Sequence, residues 1–224
     1  MTADRESRVL PSAGAARRRL RLASPVYWHP AAYRRLVNFV EGGTTRERYL
    51  EIAAEIGDAS VLDLCCGDCH LLEYLPHRRY RAIDVNPAFV RAARRRGIDA
   101  WRADPLRDGF PEAECITILH SLYQFWPDHE ALLEAMIDKA TGTVVVCEAT
   151  AGLILSPNPL ARMVARAFLA TGARPVRRGL GLPELEALAR RHRAVRSVAR
   201  GNYFLAVFAG RGATHPPSAA EPIG

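Results

Sequence analysis

The chain has 224 residues, 49% hydrophobic and 25% charged, a balance that supports one sizeable core and excludes disordered and collagen-like classes. Its net charge of +7 comes almost wholly from arginine, Lys139 being the single lysine; arginine dispersed through an alanine-rich chain, without a basic stripe, weakens a nucleic-acid reading. There is no apolar run of the roughly 18 to 20 residues a spanning helix needs, no secretory core after the arginines of Met1–Leu22, and an odd set of cysteines, Cys65, Cys66, Cys69, Cys115 and Cys147, so a cytoplasmic protein with reduced thiols is expected.

Residues 1–24 and 211–224 read as flexible tails around a single domain over 25–210. Within it, Thr44 and Glu47 have capping-box spacing, and Tyr49, Leu50, Ile52, Ala53 and Ile56 give the following helix an apolar face up to Gly57. Val61, Leu62 and Leu64 make a buried strand that runs into the loop Cys65-Cys66-Gly67-Asp68-Cys69. A helix through Leu71, Leu72 and Leu75 is expected next, stopped by Pro76. Tyr80–Asp84 reads as the second strand, and Asn86-Pro87 opens a helix that closes at Gly97.

Asp99–Arg102 and Cys115–Leu119 are the third and fourth strands, Asp128 to Lys139 a helix, and Thr143–Glu148 a fifth, almost wholly apolar strand. Residues 151–182 form an irregular, lid-like insert. Inside it a helix from Pro159 carries Leu160, Met163, Val164, Ala167, Phe168 and Leu169 beside Arg162 and Arg166, a stripe suited to a lid, a core helix or weak peripheral membrane contact. A helix from Pro183 and an antiparallel hairpin, 194–199 and 203–209 around Gly201-Asn202, close the domain. Strands alternating with helices predict an α/β three-layer sandwich around a mostly parallel seven-stranded sheet with a C-terminal antiparallel hairpin.

A strand, a glycine-bearing loop and a helix, in that order, build nucleotide sites at the carboxyl edge of such sheets. The dinucleotide pattern G-x-G-x-x-G is absent, which disfavours an NAD-dependent oxidoreductase. The run Val61-Leu62-Asp63-Leu64-Cys65-Cys66-Gly67-Asp68-Cys69 instead resembles the first motif of class I, Rossmann-like S-adenosylmethionine-dependent methyltransferases, with Cys65 and Cys69 where that family usually has glycine. Tyr80-Arg81-Ala82-Ile83-Asp84-Val85-Asn86-Pro87 resembles its second motif, and Asp104, followed by Pro105, matches its acidic contact to adenine. The resemblance implies S-adenosylmethionine as cofactor, held by Asp63, Leu64, Cys65, Gly67, Asp84, Val85, Asp104, Pro105, His120 and Ser121. It implies that Asp84 binds the ribose hydroxyls, about 20 residues beyond the first strand, and that Asp63 positions loop amides and the cofactor's amino group.

His120, Ser121 and Tyr123 follow the fourth strand, where this family places reacting groups. His120 is a candidate base, Tyr123 a second catalytic candidate, and Tyr123, Phe125 and Trp126 candidate pocket walls; structural hydrogen bonding and core packing are the competing readings. The N-P-P-Y-type tetrad of base-amino methyltransferases is absent. The expected activity is methyl transfer by in-line displacement to a small-molecule or lipid-like acceptor, with a non-catalytic S-adenosylmethionine-binding protein on a degenerate scaffold as the alternative. Cys66-Gly67-Asp68-Cys69-His70 also spells a haem-attachment, redox or half-zinc pattern, set aside because zinc needs two more ligands and no such reading explains Asp84 or Asp104.

Overall fold

The computed structural model describes residues 34, 45–76, 79–168 and 176–213, leaving undescribed the side chains of 153, 164, 167 and 168. The expected tail 1–24, the cap residue Thr44, Leu169 and residues 214–224 lie outside the described residues. Helix α1 spans Thr45–Ile56, strand β1 Val61–Leu64, β2 Tyr80–Asp84, α2 Pro87–Arg95, β3 Asp99–Arg102 and β4 Ala113–Leu119. Then come α3, His129–Lys139; β5, Ala140–Ala149; α4, Pro159–Phe168; α5, Leu182–Arg191; β6, Arg196–Arg200; and β7, Tyr203–Ala209. Among these helices none is long and apolar enough to cross a membrane.

The strands form one seven-stranded sheet in the order β3-β2-β1-β4-β5-β7-β6. β1 to β5 are parallel, whereas β7 runs antiparallel to β5 and pairs with β6 through the two-residue turn Gly201-Asn202. Every residue of β1 is buried, as a strand covered on both faces requires. Two apolar clusters lie against the sheet, one around Leu62, Ile116, Leu133 and Phe208, the other around Ile52, Val61, Tyr80 and Leu205. The chain order reverses between β1 and β4, and the carboxyl ends of strands beside such a switch point are where open α/β sheets bind ligands.

Local signals set most boundaries. The Asn86 side chain accepts the Ala88 amide at 2.9 Å, with Pro87 in the first turn of α2. The helix expected through Leu71, Leu72 and Leu75 is a single 3₁₀ turn over His70–Glu73. Cys69, at its start, is left-handed at φ 57 with no side-chain cap, and too few residues separate it from Pro76 to repay the cost of nucleating an α-helix. β5 extends beyond the expected Thr143–Glu148 because α3 passes straight into it at Ala140. The hairpin's first strand lies at Arg196–Arg200 rather than 194–199, in the register that sets Arg200 opposite Tyr203. Arg211, expected to start the second tail, donates its backbone amide to Ile137 at 2.8 Å.

In the 151–182 stretch, α4 leaves Leu160 and Met163 about 60% exposed (61% and 60%) while Ala165 is buried. Val176 and Leu180 pack into the main apolar cluster, with Ile154 and Leu182 beside them. The carboxyl end of the insert is therefore fixed to the core.

Candidate active site

Four parallel strands deliver the predicted residues to one edge of the sheet. In spatial order Asp104 follows β3, Asp84 ends β2, the 65–69 loop follows β1 and His120 follows β4. Leu64 pairs with Ile83 and with Ile118, so the β1 loop leaves the sheet level with the ends of β2 and β4. Leu64 itself is wholly buried, and Cys65 and Val85 are half-buried.

Asp84 organises the first half of this edge. Its carboxylate accepts the Gly67 amide at 3.0 Å and the Asn86 amide at 2.7 Å. Burial pushes its pKa up to about 6 against the opposing pull of those two amides. A carboxylate offers about four lone-pair sites, so two amides leave acceptor capacity for a ligand's hydroxyl donors. Gly67 has φ +53, the left-handed region glycine enters without steric cost.

Cys65 and Cys69 adopt the same region, at φ 59 and 57, as does His120 at φ 53. Three of the four non-glycine residues with positive φ among the described residues thus lie on this edge, Arg193 being the fourth; such strain gathers where surrounding structure over-determines a site. The five cysteines are free thiols. Hydrogen bonding with Cys69, together with burial, holds the Cys66 thiol well above its usual range, which disfavours the reactive thiolate.

Asp63 does not hold the loop amides. Its two oxygens accept the hydroxyls of Tyr80 and Thr117, the latter at 2.8 Å, because β1 lies between β2 and β4 and the side chain points into their buried interface. Burial raises its pKa to about 7, partly countered by the two hydroxyls. The loop-ordering part expected of Asp63 falls to Asp84. Asp104 closes a turn on itself: its Oδ1 accepts the Leu106 amide at 3.1 Å, and its own amide donates to Asp108 at 2.8 Å, with Pro105 buried between.

Beyond β4, the His120 amide donates to the Cys147 carbonyl at 2.7 Å. Its ring Nε2 lies 2.9 Å from Nη1 of Arg48. Guanidinium only donates, so Nε2 accepts and the neutral ring carries its proton on Nδ1. Arg48, on α1, is 1% exposed; it also donates to Asn202 Oδ1 at 3.4 Å and lies 5.0 Å from the Tyr203 ring centroid. Ser121 and Tyr123 are buried, and Tyr123 and Phe125 belong to the main apolar cluster, with Trp126 packed against it under the Arg178 guanidinium.

Two residues of this edge escaped the sequence reading. Arg48 falls on the buried stripe of α1, between Thr45 and Ile52, and a charge at that helical spacing was its signal. Glu148, 2% exposed at the end of the apolar run Val144-Val145-Val146-Cys147, was the second.

Comparison with known proteins agrees with this architecture. No protein-family model matches the chain. Trans-aconitate 2-methyltransferase of Mycobacterium tuberculosis is 29% identical over 148 residues, 62% of this chain and 54% of the relative, so the chain spans about half the length of the curated relatives it matches. An O-methyltransferase family protein from Burkholderia thailandensis superposes with a TM-score of 0.58 at 14% identity, over 83% of this chain and 60% of that one. Human N-acetylserotonin methyltransferase, solved in complex with S-adenosylmethionine, gives a TM-score of 0.55 at 16% identity, over 84% and 58%.

The protein has the class I, Rossmann-like fold of S-adenosylmethionine-dependent methyltransferases. This is a cofactor-binding fold, and the motif-bearing loops at Cys65, Asp84 and Asp104 lie along its carboxyl edge.

Proposed function

We propose that the chain is an S-adenosylmethionine-dependent methyltransferase acting on a small-molecule acceptor, and that the acceptor is a carboxylate. The observation that carries the cofactor half is the Asp84 carboxylate, buried at the end of β2, gripping the Gly67 amide and keeping acceptor capacity for ribose hydroxyls. Support for the acceptor half comes from the name of the curated relatives, trans-aconitate 2-methyltransferase, together with the buried Arg48 guanidinium against the His120 ring.

S-adenosylmethionine supplies an electrophilic methyl on a sulfonium, open to in-line displacement. The residues of this chain bind and orient. Asp84 and the Gly67 amide fix the loop, and Asp104 holds the turn after β3 in place for an adenine contact. Orientation of two bound reactants can supply on the order of 7 to 11 kcal/mol. His120 was expected as a base, but Arg48 engages its Nε2 lone pair; a carboxylate arrives deprotonated and needs no base.

A second reading, a cofactor-binding protein without turnover, is favoured by the β-carbons of Cys65 and Cys69 at left-handed positions. One assay separates the two: incubation of the full chain with methyl-labelled S-adenosylmethionine and trans-aconitate or related di- and tricarboxylates. Methyl transfer predicts label in a base-labile ester. Binding of the demethylated product without label transfer to any acid would overturn catalysis in favour of the second reading.

A further inference from the structure

We propose that Glu148 is a positioning residue for the acceptor side of this site, its carboxyl group gathering the backbone amides that carry His120, Ser121 and Tyr123. The inference deepens the methyltransferase reading and rests on it for its activity arm. Glu148 lies in β5, next to β4, at the point where β4 ends. Its Oε1 accepts the Leu122 amide at 2.5 Å, and the neighbouring Ser121 and Tyr123 amides also favour the charged carboxylate against its burial. One residue earlier, the Cys147 carbonyl takes the His120 amide at 2.7 Å. The amides of 120 and 122 are thereby bonded by two neighbouring residues of one strand, and those of 121 and 123 act on the same carboxyl group.

The arrangement answers a local need. Residues 122–125 form a 3₁₀ turn whose cap residue, Ser121, makes no side-chain cap hydrogen bond. The first amides of any helical turn lack partners within it, and here they are buried, where an unpaired amide is costly. Glu148 serves as their cap from 26 residues away. The left-handed backbone of His120, φ 53, turns successive amides towards one point, the geometry of an anion-binding nest. That same turn presents the His120 ring to Arg48, so the carboxyl group acts on the ring through the backbone. A carboxyl oxygen accepts whether or not the group holds a proton, and the role therefore needs an acceptor atom at this length.

The test replaces Glu148 with Met, which keeps length and removes the acceptors, and with Gln, which keeps one acceptor oxygen. In the full chain, hydrogen exchange of the Ser121, Leu122 and Tyr123 amides is expected to be slow in the wild type, at least tenfold faster in Glu148→Met, and slowed again in Glu148→Gln. With trans-aconitate as acceptor probe, kcat of Glu148→Met should fall at least tenfold while affinity for S-adenosylhomocysteine stays within threefold, and Glu148→Gln should recover turnover relative to Met. The exchange arm reads Glu148 whether or not the methyl-transfer reading holds, and its wild-type measurement stands if the Met variant does not fold. Fast exchange of the three amides in the wild type, or a Gln variant no better than Met, would overturn the proposal.

Discussion

The two halves of the sheet's carboxyl edge hold their loops by different means. On the β1–β2 side the carboxylates that hold backbone amides act over short distances in sequence: Asp84 reaches Asn86 two residues away and Gly67 seventeen away, and Asp104 binds the amide two residues on; Asp68 of the β1 loop is reached from further off, by Arg34 and by Arg96. On the β4–β5 side they are long: Arg48 meets His120 across 72 residues and Asn202 across 154, and Glu148 meets Leu122 across 26. In the first half the amides are held mostly from within or beside their own turns, with arginines clamping Asp68 from outside; the second depends on three distant elements arriving together.

The contrast predicts where substitutions act. Asp84→Ala should weaken binding of S-adenosylhomocysteine about a hundredfold, roughly 2.7 kcal/mol, and destabilise the protein by about 2 kcal/mol through two buried amides left unpaired. Calorimetry below the melting temperature reads both, and unchanged affinity would remove Asp84 from the cofactor site.

Asp63 gives the next largest effect, in the pH dependence of stability. Its folded pKa of about 7 lies above the unfolded value near 3.9. The folded state therefore binds this proton more tightly, and the resulting stability is present below about pH 4 and lost as pH rises through 7. The stability of the wild type relative to Asp63→Asn should fall by on the order of 2 kcal/mol between pH 5 and pH 8, measured by urea unfolding at each pH. A difference that does not change with pH would contradict the buried, protonated Asp63.

Arg48→Met tests the long-range half. Turnover on a carboxylate should drop about tenfold, roughly 1.4 kcal/mol, with affinity for S-adenosylhomocysteine held within threefold; steady-state kinetics and calorimetry check the split. Equal loss of cofactor affinity would merge the two halves into one unit. The smallest effect belongs to Cys65→Gly, which relieves a left-handed residue at φ 59. Relief of about 1 to 2 kcal/mol, partly offset by the chain entropy of glycine, should raise the melting temperature by a few degrees in a thermal scan. A lower melting temperature would mean that the thiol contributes more than the strain costs.

The same contrast explains what the sequence disclosed. The β1 strand, the Asn86-Pro87 cap and the Gly201-Asn202 hairpin are written in neighbouring residues, so periodicity and turn chemistry reveal them. Asp84 was legible because it ends a strand beside its own partners. Arg48 and Glu148 were not, because their partners lie on other elements and nothing local marks a buried charge as satisfied. The brief 3₁₀ turn at His70–Glu73 was read as a longer helix because Leu71, Leu72 and Leu75 satisfy a helical pattern that the left-handed Cys69 and Pro76 leave no room to complete.

Calorimetric titration of the full chain with S-adenosylmethionine, S-adenosylhomocysteine and NAD tests most directly whether the loops after β1, β2 and β3 form an S-adenosylmethionine site. Saturable binding of the first two at one site, with none of NAD, is the predicted result. Binding of NAD alone, or of none of the three, would contradict it.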